Sequence, residues 1–257
     1  MNRAILLFKS RKILLSSVRH SIKERFVGSI LGVFWVVLLP ILFTAIYSLV
    51  YSVYLGGQSN QLLSILSVLC GLIPFLAFAE SFGQGVNSVV SGVSLVKNTL
   101  FPIELVPLKD VLVGHFSMLS GFLMLIALGL YLDVSASLLG LSLIIFMTQI
   151  IMVSGIVYIF STLNVFIRDV SKSTPIILLL LMLITPIGIT LENIPVDYQF
   201  ILKLNPLTHF VTLYRDLFLN NKFNILLFLK VLSASVCCFF LGLFFLSKLR
   251  NIVIDHV

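Results

Sequence analysis

Charge is scarce in this sequence: Asp, Glu, Lys and Arg make up only 11% of its 257 residues, against roughly a quarter in soluble domains. Acidic residues are the scarcer sign, 10 against 17 basic. Cysteine is nearly absent. Cys70, Cys237 and Cys238 lie in apolar runs with no CxxC pair and no His at ligand spacing, which excludes a disulfide framework and leaves packing as their expected role. The four histidines, His20, His115, His209 and His256, fall in separate segments, so no metal site is expected. There is no G-x-x-x-x-G-K-[ST] phosphate loop, no H-E-x-x-H and no G-x-G-x-x-G, so the chain is not expected to hydrolyse ATP by itself or to bind a cofactor. The apolar run at 4–8 is shorter than the ~7 to 15 residues of a signal-peptide core, and no cleavable signal is expected. An intramembrane serine hydrolase would need an activated Ser. Ser91-Gly92, Ser120-Gly121 and Ser154-Gly155 have no glycine two residues before the Ser, and no base is positioned by sequence.

What is there is apolar. Hydrophobic residues make up 59% of the chain, Phe alone has 22 copies, and the mean hydropathy is +1.15. Such surface in a soluble chain would drive aggregation, so the composition points to an all-α polytopic membrane protein. The formal charge of +7 does not point to nucleic acid, because it is concentrated at the start. Arg3, Lys9, Arg11, Lys12, Arg19, Lys23 and Arg25 surround the single acid Glu24, and such segments favour anionic lipid headgroups.

Within residues 3–26 the apolar positions Leu15, Val18, Ile22 and Phe26 recur at spacings of three and four, with basic residues between them. This predicts an amphipathic helix in the interface plane. Spans of about 20 apolar residues are expected at 30–51, 62–90, 111–132, 138–165, 175–191 and 223–246. Trp35, the only Trp, and Tyr47 and Tyr51 sit near the two ends of the first, as interfacial aromatics do. Gly28 and Gly32 just before it are a weak small-xxx-small signal for close helix approach. The second span carries Glu80, Gln84 and Asn87; a carboxylate near mid-membrane costs about 2.5–3.5 kcal/mol on insertion scales, so Glu80 is expected to face a cavity or a partner helix. Pro186 and Gly188 predict a break in the fifth. The polar stretch that follows, 192–224, keeps helical spacing in Leu207, Phe210, Val211, Tyr214, Leu217 and Phe218, which predicts short re-entrant helices that dip partway back.

With six spans both termini share a side. Thirteen of the 17 basic residues then fall on that side, the other four being Lys203, Arg215, Lys222 and Lys230, and the positive-inside rule makes it the cytoplasm. The polar passage 95–110 is then cytoplasmic as well. No internal repeat relates the two halves, so a pore is expected between two copies in a homodimer. From the residues alone an ATP-independent transporter or channel, with Glu80 or Lys230 in an ion relay, stays open beside an exporter with an external motor.

Four stretches carry a resemblance. They are Ile22-Lys-Glu-Arg-Phe-Val-Gly-Ser-Ile-Leu-Gly-Val-Phe-Trp35, Leu95-Val-Lys-Asn-Thr-Leu-Phe-Pro102, Leu163-Asn-Val-Phe-Ile-Arg-Asp169, and Leu204-Asn-Pro-Leu-Thr-His-Phe210 with Tyr214-Arg-Asp216. Together they resemble the type-2 ABC exporter permeases for polysaccharides, and the second and third are most similar to the O-antigen group. The resemblance implies a permease subunit that moves a lipid-linked glycan across the bacterial inner membrane. It also implies a homodimer that binds two copies of a cytoplasmic ATPase, with ATP and Mg used by that partner. A drug or lipid exporter of the same architecture is the alternative. The resemblance further implies an ATPase-coupling helix over 94–101, comprising Ser94, Leu95, Val96, Lys97, Asn98, Thr99, Leu100 and Phe101, with Ser94 suited to the N-cap and Pro102 to the stop. Asn205, Pro206, Tyr214 and Arg215 would belong to external gate helices over 195–219, with Asn205 and Pro206 at the turn between them. Phe34, Trp35, Tyr47, Tyr51 and Glu80 are candidate residues of the glycan channel.

Overall fold

Apolar periodicity resolves into helices throughout the computed structural model, which describes residues 10–25, 27–32, 34–54, 61–92, 101–188 and 195–256 and contains no strand among them. In chain order the helices are α1 (Arg11–Arg25), α2 (Phe34–Tyr54), α3 (Gln61–Gly85), α4 (Ser88–Ser91), α5 (Leu105–Ser117), α6 (Leu119–Tyr131), α7 (Ala136–Phe166), α8 (Asp169–Ile184), α9 (Val196–Leu204), α10 (Pro206–Phe218) and α11 (Ile225–His256).

Three described stretches are long and apolar enough to cross a membrane: Leu62–Gly85, Ala136–Phe166 and Ile225–Arg250. The pair α5 and α6, bent by 42° at its break, makes a fourth if it is one span. The apolar stretch Phe34–Val50 of α2 and the 16 residues of α8 are shorter. The link from α1 to α2 is not a close helix contact at Gly28 and Gly32, since both glycines take left-handed backbone (φ 80° and 49°) in a non-helical turn. Only a residue without Cβ adopts that conformation cheaply.

Two departures from the expected spans have local causes. The third expected span begins earlier, at Leu105, and bends at Met118. No proline sits there. Instead Ser117 Oγ donates to the Val113 carbonyl at 3.0 Å, a back-bond that bends helices, and Ser120 Oγ donates across to Val36 O at 2.5 Å. That second bond answers a need in α2. Pro40 has no N–H to offer the carbonyl four residues before it, and Ser120 supplies the missing donor. The fifth expected span ends as a helix at Ile184, before Pro186.

α3 is the central helix. Leu66, Leu69, Leu72, Ile73 and Phe82 are completely or almost completely buried, and 61% of its apolar window is covered by protein. α10 is amphipathic and lays Leu207, Phe210, Leu213, Tyr214 and Leu217 into the same core. In a bilayer this burial does not gain from leaving water, because lipid tails are as apolar as Leu; tight packing and satisfied polar groups decide instead. The buried Gln149 meets that need at its amide nitrogen, which donates to Pro74 O at 2.6 Å.

Candidate functional site

The expected coupling residues Ser94 to Leu100 lie outside the described residues; Phe101 is the first that follows. Phe101 is buried against Leu14 of α1 and Leu105 and Val106 of α5. Immediately after it, Ile103 packs with Val89, Tyr158, Leu243, Leu246 and Val253. The Tyr158 hydroxyl donates to Glu104 O at 2.9 Å, and Arg250 Nη1 stands 3.9 Å from Glu104 Oε1. Phe101, the end of the expected coupling segment, and the residues just after it are therefore clamped by α1, α7 and α11 at once. Sequence reasoning did not single out Glu104, Tyr158 or Arg250; the available signal was the apolar run on both sides of Glu104, because a carboxylate that becomes buried, here 1% exposed, must have partners.

Glu80 does not stand alone on its helix. It is ion-paired with Arg25, the last residue of α1, and accepts from Gln84 Nε2 at 2.5 Å. Arg25 also donates from Nη1 to Ser117 Oγ at 2.7 Å. One guanidinium thus ties the basic surface helix to α3 and to the bend after α5. Both side chains of the pair are partly exposed, 30% and 27%, so solvent moderates their attraction.

The stretch Leu163 to Asp169 forms a second polar knot. Asn164 is 1% exposed; its amide nitrogen donates to Asn87 Oδ1 at 3.3 Å and its oxygen accepts from the Ser171 N–H at 3.0 Å. It therefore satisfies an orphan donor in the first turn of α8 while holding the break between α3 and α4.

At the other end of the bundle the four expected gate residues belong to one unit. Asn205 caps α10, accepting from Leu207 N at 3.0 Å, with Pro206 at the first helical position where its missing N–H costs nothing. Its amide nitrogen donates to Thr185 Oγ1 at 2.8 Å. Arg215 Nη2 donates to Ile187 O at 2.8 Å, and the Ile187 backbone lies so close to Gly71 that a Cβ there would stand 2.6 Å from Ile187 O. Tyr214 is 1% exposed and stacks with Phe218. α10 thereby fixes the non-helical exit of α8 through its cap and its last turn. Asn205→Ala removes both bonds of a side chain 3% exposed, with an expected cost of about 2 kcal/mol. Thermal unfolding in detergent checks it, and Asn205→Asp should retain most of the cap.

Of the candidate channel residues on α2 whose side chains are described, Phe34, Trp35 and Tyr47, not all lie on one face. Phe34 and Trp35 are exposed at the start of α2, whereas Tyr47 is partly buried against the core. At 3.6 residues per turn Tyr47 lies about 120° around the helix from Trp35. Tyr51 lies in the last turn of α2, its side chain outside what is described. The three serines weighed as nucleophiles donate to backbone carbonyls: Ser91 to Asn87, Ser120 to Val36 and Ser154 to Ile150. His115 is buried with Nδ1 2.7 Å from Ser81 Oγ.

Known proteins resemble this all-helical, largely apolar chain over most of its length. Residues 14–219 match the family model described as ABC-2 type transporter. The chain is 29% identical over 215 residues, 82% of each chain, to a protein of Klebsiella pneumoniae named O-antigen export system permease protein RfbA. It is 25% identical over 219 residues, 84% of each, to a protein of the same name from Myxococcus xanthus. With the match running from α1 through α10, this chain belongs to the ABC-2 type transporter family.

Proposed function

We propose that this chain is the membrane-spanning permease subunit of an ATP-driven exporter that carries a lipid-linked polysaccharide of O-antigen type out of the cytoplasm. The observation that carries the reading is the likeness over 82% of the chain to relatives named as O-antigen export permeases, within the family match over 14–219. ATP and Mg belong to a separate cytoplasmic ATPase. This chain supplies the path, resides in the bacterial inner membrane and keeps both termini in the cytoplasm.

In this reading the chain crosses six times, α2 and α8 completing the set begun by the longer helices. The 21 residues of α2 reach about 32 Å at 1.5 Å per residue, enough for a hydrocarbon core of about 30 Å. Two copies form the path with two ATPase subunits. The segment 94–101 receives the push of the closing ATPase, and the clamp around Phe101, Ile103 and Glu104 passes it to α1, α5, α7 and α11. α9 and α10 close the outer end until the chain moves.

Inverted vesicles holding the permease with its cognate ATPase give the test. Lipid-linked glycan should become protected from added glycosidase on addition of ATP and Mg, and a proton gradient without ATP should protect none. Protection driven by the gradient alone would overturn the reading, and so would ATP-driven movement of a lipid or drug with no movement of glycan.

The dimer has its own expected result. On α8 the residues Ile176, Leu179, Leu180 and Leu183 are exposed at helical spacing, an apolar stripe that a second copy can cover. In a background without Cys70, Cys237 and Cys238, cysteine at Leu179 or Leu183 should cross-link two copies in membranes. Cysteine at Leu226 on α11 should not, and cross-links there alone would put the contact elsewhere.

A further inference from the structure

A cavity of about 260 Å³ opens between α7, α10 and α11. Its walls are apolar: Met152, Pro206, Phe210, Leu227, Val231 and Ala234. Two nitrogen-bearing side chains, Lys230 and His209, complete the lining. The His209 ring is already engaged, with Nε2 3.0 Å from Lys203 O, whereas Lys230 is exposed and none of the described ion pairs includes it.

The position of this cation is informative. Lys230 lies five residues after the first residue of α11, Ile225, about 7–8 Å along the helix. The apolar stretch of α11 begins at Ile225, so Lys230 lies about a turn and a half inside it, a depth from which a lysine stem reaches the headgroups by snorkelling. α11 is also the least covered of the long helices, with 22% of its apolar window buried against 61% for Leu62–Gly85. The cavity thus sits on the most lipid-exposed helix, with a cation above an apolar hollow smaller than the usual ~300–1,000 Å³ of a drug-sized site. A single hydrocarbon chain under an anionic headgroup fits that combination.

We propose that this cavity binds an acidic phospholipid of the outer half of the membrane, with one acyl chain against Phe210, Val231 and Ala234 and its phosphodiester on Lys230. The inference takes only the leaflet from the proposed orientation and does not depend on what is exported. Pro206, His209 and Phe210 belong to α10, the helix capped by Asn205. The bound lipid therefore bridges α11 to α10 and sets how readily α10 moves.

Permease and ATPase purified together and stripped of lipid in detergent are titrated with phosphatidylglycerol or with phosphatidylcholine of the same acyl chains, and the unfolding temperature is followed. The wild type should reach its half-maximal rise at a phosphatidylglycerol concentration at least tenfold below that for phosphatidylcholine. Lys230→Gln should erase this preference, Lys230→Arg should keep it, and Lys222→Gln, an exposed lysine outside the cavity, should leave it intact. Ala234→Phe should weaken the response to both lipids, and with Lys230→Arg it decides the matter if Lys230→Gln does not fold. Equal response of the wild type to both lipids, an unchanged preference in Lys230→Gln, or its loss in Lys222→Gln overturns the proposal. A rise reproduced by inorganic phosphate alone overturns the lipid in favour of a free anion. Absence of any lipid response together with cross-linking of a cysteine at Ala234 to a second copy gives the face to a dimer contact and overturns it as well.

Discussion

Gly242→Leu is expected to yield no stable protein. α7 and α11 cross where neither backbone leaves room for a side chain: a Cβ at Gly242 would stand 2.2 Å from Gly155 O, and one at Gly155 would stand 2.5 Å from the Cys238 carbonyl carbon and oxygen. The obstacles are main-chain atoms of long helices, which cannot rotate aside as a side chain can. The helices would have to separate along their length, opening the packing of Tyr158 on Phe239, Leu243 and Leu246. Close backbone approach at small residues is the main source of helix association in lipid. Overpacking a core costs about 1–3 kcal/mol where side chains can yield; here only main chain can, and the cost should exceed about 4 kcal/mol. Size-exclusion chromatography in detergent should show aggregate where the wild type gives a single peak. Gly140→Ala is the control: a Cβ there meets nothing within 4 Å, and replacing an exposed helical glycine should gain about 0.5–1 kcal/mol. A native, monodisperse Gly242→Leu variant would mean that the two helices stand farther apart.

That crossing also marks where the sequence stopped being informative. Helix identity follows from local chemistry, and the readable boundaries were those with local signals. The turn at Asn205 and Pro206, expected from the family resemblance, rests on such a signal, a side-chain acceptor beside a missing N–H. The end of α8 before Pro186 is legible for the same reason. The bend at Met118 was not, since it follows from Ser117 bonding back to Val113 and from a proline in another helix whose vacated carbonyl Ser120 fills. Glu80 shows the limit most clearly. Its sequence neighbours demand only that the carboxylate avoid lipid, and cannot name a partner 55 positions earlier in α1. Gly28 and Gly32 have the spacing of a packing motif, yet their positive φ serves a turn. The same pair of glycines at the same spacing supports either outcome until the path of the chain is known.

Phe101→Asp is expected to abolish export and to release the ATPase, for a reason that differs from loss of a surface contact. Phe101 is 7% exposed among Leu14, Leu105 and Val106, so the side chain holds the end of the proposed coupling segment onto α1 and α5 and is not free to face a partner. Truncating a buried Phe costs about 3–5 kcal/mol. An unpaired carboxylate in the same hollow adds desolvation, and Glu104, 1% exposed, stands three residues on with the same charge. The segment 94–101 would then detach from the helices that are meant to carry its motion while α7 and α11 stay packed through Gly155 and Gly242. Co-purification of the ATPase should fall at least tenfold, and ATP-driven glycan protection in inverted vesicles should be lost, with the permease still present in the membrane. Phe101→Leu keeps an apolar group of similar reach and should cost less than about 1.5 kcal/mol, leaving both activities near wild type. The two variants together separate anchoring from recognition: a surface contact with the ATPase would suffer from either change in proportion to lost area, whereas an anchor tolerates leucine and fails with aspartate. Wild-type export by Phe101→Asp would show that force enters the bundle by another route.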